Sequence, residues 1–505
     1  LNSAERPSLP QIPIIVDGGD DGSCDETDSV IFYADSPHKV IRDLQDQTFS
    51  HQLHRYSEVH HVLLRVDGDG ESLRLSAANS SVNGPVLTEF RDFIWMEEEI
   101  AKSEPTIRSG LEWYGMRLSN DPGQRERTIF DQTVPGLISG RTMDVDIRFI
   151  GRSTQSMSMN FSYGSQDIGS SGVLPINSYR SEEGISGRSR VVSGDVSIQN
   201  SEQIQIMGSL NASEPTSEGI IDWIRLSFDR RLTTTDDYLF IYSPADISNS
   251  AATYELSGFT GQPIVMEVSD PLQPRQLSVS QSGSNYRFSF NHSESNRFIA
   301  QSSLFTPEVG ERVDNQNLRG VSINPDYVII TSEFYLSLAE EWADYRREND
   351  GFDVAVVSQE QIFNEFSGAT PDVTAIRDYI KFLYDRALAS GESPLQHLLL
   401  YGDATFDYKN IVGGSLVNHV FTFQSDESLH RINSYGSDDY YGFLDDNEGA
   451  WRPNNNDDRL DIGVGRFPVS TLAEARVLMN KIRTYESDET TGNWKSRFTF
   501  VSDDD

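Results

Sequence analysis

The feature that most constrains this chain is a change of hydrophobic period near residue 323. Before it, apolar residues alternate singly with polar ones. The runs are Met143, Val145, Ile147 and Phe149; Met157, Met159, Phe161 and Tyr163; Ile224, Leu226 and Phe228; Tyr286, Phe288 and Phe290. Successive side chains of a strand point to opposite faces, so this period of two buries one face of a sheet. Many such strands, divided by Ser/Gly/Asn turns, predict a jelly-roll-like β-sandwich over residues 106–322. Residues 1–105 mix short strands with acidic turns and predict an N-terminal β-rich domain. Within it, "VLLRVDGDGESLRLS" reads as a hairpin with Asp67, Gly68, Asp69 and Gly70 at the turn.

After residue 323, short apolar strands alternate with helical stripes. "YVII" is followed by a helix that Ser332 can cap, with Tyr335, Leu338, Trp342 and Tyr345 on one face and Gly351 at its end. "FDVAVV" precedes a helix opened by Thr370-Pro371 and striped by Val373, Ile376, Ile380 and Leu383. "LQHLLLY" precedes a helix with a Thr471/Glu474 capping box, and Leu472, Ala475, Leu478, Met479 and Ile482 face inward. "RFTFV" closes the series as a further strand. Strand–helix alternation predicts a parallel α/β sheet with right-handed crossovers. The expected fold is therefore multidomain β plus α/β, with residues 323–505 forming the first half of an α/β domain that is incomplete at its C-terminal end.

A chain of 505 residues is too long for one ordinary domain. Its formal net charge of −37 argues against nucleic acid as a partner, because phosphate contacts need cations. Lysine occurs only at Lys39, Lys102, Lys381, Lys409, Lys481 and Lys495. That balance suits either a well-solvated surface or a salty, calcium-rich exterior. No run of about 18 apolar residues is present, so no transmembrane segment is expected. The first residues lack a basic stretch followed by an apolar one, so a signal peptide was removed or never existed. The single cysteine, Cys24, permits no internal disulfide.

Two acidic groups are candidate sites. Asp403 and Asp503 follow strands, and Asp438 and Asp439 lie in "YGSDDYYGFLDD". At the C-terminal edge of a parallel sheet they form a possible ligand or metal site, or they cap helices and turn loops. Asp17, Asp21, Gly22, Asp25 and Asp28 occupy positions 1, 5, 6, 9 and 12 of a calcium-loop spacing. Position 3 is Gly19, and a strand rather than a helix follows, so both a calcium-bound β-loop and a metal-free Asp/Gly turn fit. No nucleophile elbow, zinc-helix or Walker motif is present. Cys24 sits among carboxylates that oppose a thiolate, so it is not read as catalytic. His38, His51, His54, His60 and His61 cluster in the first section; without a completing ligand nearby, the His-His pair reads as surface.

Several segments carry a resemblance. "GGDDGSCDETDSVIFYADSPHKV", "GIIDWIRLSFDRRL" and "VMEVSDPLQPRQL" are similar to the β-rich front of the sortase class of the gingipain peptidase family. "PDYVIITSEFYLSLAEEWADYRRENDGFDVAVVSQEQIF", "HLLLYGDATFDYKN", "YGSDDYYGFLDD" and "RLDIGVGRFPVSTLAEA" resemble the first subdomain of that family's peptidase domain. The resemblance implies a caspase-like α/β domain with a Cys–His dyad. Neither dyad residue can be placed in this chain, which has no "GHG"-like motif and no cysteine beyond Cys24. The 505-residue segment alone is therefore expected to be inactive, its catalytic residues lying beyond Asp505. The implied activity is that of a cell-surface sortase of the type IX secretion system. It would remove C-terminal sorting domains from exported cargo proteins and attach the cargo to lipopolysaccharide, with an outer-membrane β-barrel shuttle as partner. A freely secreted endopeptidase and a non-catalytic surface module are the alternatives.

Overall fold

In the computed structural model each of the four alternating runs between Met143 and Phe290 is a strand with its apolar side turned to a core. The structure describes residues 9–502 apart from 19–24, 27, 47, 66–71, 79–83, 178–183, 245–249, 293–294, 321–323, 415–416, 450–457 and 488–491. Strands Thr142–Arg152, Glu218–Arg231, Arg188–Ser197 and Glu89–Glu97 form one antiparallel sheet, with Arg117–Ser119 added to it. Gln166–Val173, Met157–Tyr163, Gln203–Ala212 and Glu126–Thr133 form the facing sheet. Met143, Val145, Ile147, Phe149, Met159, Phe161, Ile224 and Phe228 meet between the two.

A second sandwich stands where one continuous sandwich was expected. Tyr238–Tyr242, Arg297–Gln301, Ile264–Glu267, Arg275–Leu277 and Ser76–Ala77 make one sheet. Ser280–Ser282, Asn285–Asn291, Ala251–Leu256 and Val86–Leu87 make the other, and a separate core containing Tyr254, Phe288 and Phe298 lies between them. A period of two shows that one face of a strand is buried, but not which sheet buries it. The first section is likewise not separate. Glu89–Glu97 runs beside Glu218–Arg231, and Ser76–Ala77 and Val86–Leu87 add parallel edges to the second sandwich. A boundary at residue 105 misplaces these strands, because pairing partners over a hundred residues away leave no local mark. The expected hairpin around Asp67–Gly70 also needs correction. Its turn lies outside the described residues, and Val62–Arg65 and Ser72–Leu75 form no ladder with each other. Instead, Leu75 N–H donates to Ile14 O at 2.9 Å.

Lys39–Asp43 and Thr48–Gln52 do form a hairpin, which lies on the outer face of the first sandwich. Phe49 stacks on Phe93 with centroids 5.2 Å apart, and His51 stacks on Trp95 at 4.4 Å.

The α/β region has four parallel strands in the order Val354–Ser358, Tyr327–Thr331, His397–Tyr401, Gly463–Phe467. Val328, Ile330, Leu398 and Leu400 face helices α2 (Gln359–Phe366) and α3 (Val373–Ser390). Ile329, Leu399 and Tyr401 face α1 (Leu336–Asp350, which the chain enters before α2) and α4 (Leu472–Glu486). Burial on both faces explains why the two central strands, Tyr327–Thr331 and His397–Tyr401, read as unbroken apolar runs. Gly351 ends α1 at φ 73°, and the Thr471/Glu474 capping box is formed. Other local expectations shift. Asp372, not Thr370-Pro371, caps α3, its carboxylate accepting from Thr374 N–H at 2.8 Å. Helix α2, with its own Ser358/Gln361 capping box, had not been expected. Leu472 is 44% exposed rather than inward, because the sheet ends at the strand before it. "RFTFV" forms no ladder, and Phe498, Phe500 and Val501 are exposed. Alternation makes such a segment competent for a sheet but supplies no partner edge.

Candidate functional site

In an open parallel sheet, ligands bind where the direction of winding reverses, outside the carboxyl ends of the strands. Here the reversal falls between Tyr327–Thr331 and His397–Tyr401: the chain first winds to Val354–Ser358 on one side, then crosses to the other. Ser332 and Gly402 leave those two strands, and His419 fills the crevice between them. His419 Nδ1 lies 3.2 Å from Ser332 Oγ, and its backbone N–H donates to Asp403 O at 3.0 Å. Gly402 has φ 135°, and a Cβ there would stand 2.5 Å from His419 Cβ, so only glycine allows this approach. The imidazole stacks on the half-exposed Phe334 and meets the edge of Tyr335. Burial lowers its pKa below the ordinary histidine value, partly offset by the charge of Asp403. A neutral imidazole beside a hydroxyl can accept a proton. Among the described residues no carboxylate holds the other ring nitrogen, so the pair is a polar crevice rather than a catalytic triad.

The expected sheet-edge acids occupy distinct environments. Asp403 Oδ2 accepts from Ser470 Oγ–H at 3.1 Å, and its Oδ1 accepts from Ala404 N–H at 2.9 Å. Asp438 receives a bidentate pair from Arg466 at 2.7 and 2.8 Å. The same guanidinium donates to Gly402 O, Val420 O and Phe421 O. Asp439 is exposed and starts a short 3-10 turn. Asp503 lies outside the described residues. In the N-terminal loop, Asp17 and Asp28 come to the mouth of the ladder between Ile14–Asp17 and Ser29–Phe32. Asp28 Oδ2 accepts from Asp25 N–H at 3.0 Å. Asp21, Gly22 and Cys24 lie outside the described residues. Among the described residues no three His, Cys, Asp or Glu side chains form a metal-binding group.

Nothing in the sequence pattern singles out His419 or Arg466, and it offers Ser332 only as a helix cap. Ser332 makes no side-chain cap bond and faces His419 instead. The one signal available for His419 was an isolated histidine in an otherwise irregular, Gly-rich stretch. It becomes informative only once the loop is seen to return to the sheet edge.

The loop that carries His419 also docks the α/β region on the first sandwich. Ser186 N–H donates to Leu429 O at 2.7 Å, Leu111 N–H to Ser425 O at 2.8 Å and Arg431 N–H to Gly184 O at 2.7 Å. Trp113 stacks on Phe406 with centroids 5.7 Å apart, and Leu429 joins Tyr114, Ile150 and Ile220 in a small core.

Comparison with known proteins fits this architecture. Residues 321–505 match the model of peptidase family C25. The chain is similar to the crystal structure of dimeric latent PorU from Porphyromonas gingivalis, with 25% identity and a TM-score of 0.79. That likeness covers 98% of this chain and 46% of the other, so the chain spans about half of that protein's length. A carbohydrate-binding module of family CBM36 in complex with calcium and xylotriose is 12% identical over 28% of this chain and 99% of its own, with a TM-score of 0.18. No curated relative matches the chain.

Proposed function

Residues 321–505 carry a region of peptidase family C25, the gingipain family of cysteine peptidases, within a PorU-like fold, and from this premise we propose that the protein is a PorU-like surface sortase. In this reading it removes C-terminal sorting domains from exported cargo, transfers the cargo to lipopolysaccharide, and works with an outer-membrane β-barrel shuttle at the extracellular face. The observation that carries the reading is the likeness over 98% of the chain: both sandwiches and the first section are shared, not the peptidase region alone. That breadth favours it over a free endopeptidase with a short front segment. A non-catalytic surface module stays the alternative of a different class.

Such chemistry needs a thiolate that attacks a peptide carbonyl and a histidine that protonates the leaving amine. Residues 323–505 contain no cysteine, and their histidines are His397, His419 and His430. The 505-residue chain by itself is expected to cleave no peptide. Turnover that disappears in Cys24→Ser would refute that assignment. The sortase reading is tested on the full gene product in outer-membrane vesicles. Cargo there loses its sorting domain and gains lipopolysaccharide, and both changes stop when the nucleophilic cysteine is replaced. Unchanged cargo in the presence of the intact protein counts against it.

Calcium at residues 17–28 belongs to the same proposal. Aspartates drawn together repel one another, and a divalent cation relieves that repulsion. Binding to the folded form alone stabilises it by about 2.7 kcal/mol at a hundredfold excess over the dissociation constant. Millimolar calcium is expected to raise the melting temperature relative to chelator, and Asp21→Ala to abolish the rise. Identical melting in calcium and chelator removes calcium from the reading.

A further inference from the structure

Three of the five clustered histidines are enclosed, and their bonding is of one kind. The backbone N–H groups of Tyr56 and Ser57 donate to His54 Nδ1 at 3.4 and 3.1 Å. The N–H of His54 donates to His38 Nδ1 at 3.0 Å, and Arg225 Nε–H donates to His51 Nδ1 at 2.8 Å. An N–H can be accepted only by a lone pair. Each ring therefore carries its proton on Nε2, and each Nε2 faces a carboxylate: Glu58 at 3.0 Å from His38, Glu97 at 2.6 Å from His51 and Asp372 at 3.9 Å from His54.

We infer that Leu53–Val59 is an acid-opened clasp: protonation of His54 releases the turn that pins Tyr56 into the α/β core. The clasp joins three parts of the molecule. Tyr56 packs on the α/β core with its ring 4.9 Å from Tyr408, and Asp372 caps α3. Glu58 pairs with Lys409, which also pairs with Glu99 just after the sandwich strand Glu89–Glu97. A proton added to His54 must go on Nδ1, where it meets the N–H groups already pointing at that atom. Acceptor becomes donor, and the turn Tyr56–Ser57 loses its anchor.

The surrounding charges set the balance. His54 faces Asp372 and Glu58, which favour its protonated form, and Lys409 and His38, which oppose it; burial outweighs the rest and lowers its pKa. His38 faces Glu58 and the edge of Trp95. His51 faces Glu97 and Arg225, and Arg55, Glu112 and Arg148 line the same 140 Å³ cavity. The sign follows from linkage. Below the ordinary histidine pKa the unfolded chain binds a proton that folded His54 resists. The clasp's contribution is therefore complete above that value and falls as pH drops below it. Glu99, whose pKa burial raises, takes its proton more readily in the folded chain than in the unfolded one, so its own linkage runs the other way and offsets part of that loss.

Hydrogen exchange on the intact chain at pH 7.5 and pH 5.0 tests the clasp. After correction for intrinsic rates, the peptide over residues 53–59 should lose protection at least roughly tenfold at pH 5.0, while Thr142–Arg152 should not. In a His38→Asn/His54→Asn double variant, each Oδ1 stands near the former Nδ1, accepts the same N–H and does not titrate. Its protection should change less than about threefold. Unchanged wild-type protection at pH 5.0, or an equal loss in the double variant, overturns the inference. If the variant does not fold, nitrogen spectra of histidine-labelled wild type decide: an imidazolium or an Nδ1–H tautomer for His54 at pH 7.5 overturns it.

Discussion

Arg466→Ala is expected to destabilise the α/β region by about 3 kcal/mol, the lower end of the range for breaking a buried ion pair. Arg466 rises from strand Gly463–Phe467 with its side chain 11% exposed, and it binds both oxygens of Asp438. It also donates to three carbonyls, two of which, Val420 and Phe421, belong to the loop that carries His419. Alanine leaves a carboxylate without its cation and those carbonyls without donors, and a buried unpaired polar group costs about 1–3 kcal/mol. Asp438 is 24% exposed, so water recovers part of this loss. Arg466→Lys should rescue little, because an ammonium cannot span a bidentate pair and three carbonyls with one planar fork. Asp439→Ala is the control: this exposed neighbour should change stability by no more than about 0.5 kcal/mol. Urea unfolding followed by exchange at His397–Tyr401 measures all three. Equal effects at Arg466 and Asp439 would show the clamp to be energetically idle.

Residues 323–505 expressed alone are expected to aggregate, or to lose amide protection over residues 404–435 by about tenfold or more. That stretch borrows its order from the β domains. Excision removes Trp113 from Phe406, Tyr56 from Tyr408, and Tyr114, Ile150 and Ile220 from Leu429. It also opens the backbone bonds to Leu111, Ser186 and Gly184. The newly bared aromatics add to apolar groups already exposed, among them Val477, Trp494 and Phe498. A large contiguous apolar surface drives association. A soluble monomer with full protection across 404–435 would show the α/β region to be self-sufficient.

Local chemistry was legible without coordinates. Period two marked Met143–Phe149 and Met157–Tyr163 as half-buried strands, and unbroken apolar runs marked "YVII" and "LQHLLLY" as strands covered on both faces. Gly351 and the Thr471/Glu474 box were readable because caps depend on residues within one turn of the helix end. Helix α2 was not read, since eight residues give too short a stripe for the period to show.

What the sequence determined by itself is the period of the longer segments, and hence whether each suits a strand or a helix and which side is apolar. Only tertiary structure decided the partners. It divided the expected sandwich into two and gave Glu89–Glu97 to the first. It left Arg497–Val501 unpaired and turned Ser332 from a cap into the partner of His419. The physical reason is one of range. Backbone sterics, caps and hydrophobic period act over a few residues. Strand pairing, the reach of Arg466 across the sheet edge and the docking of Tyr56 bring together groups from 28 to more than 350 residues apart. Those contacts form only when the whole chain has chosen its packing.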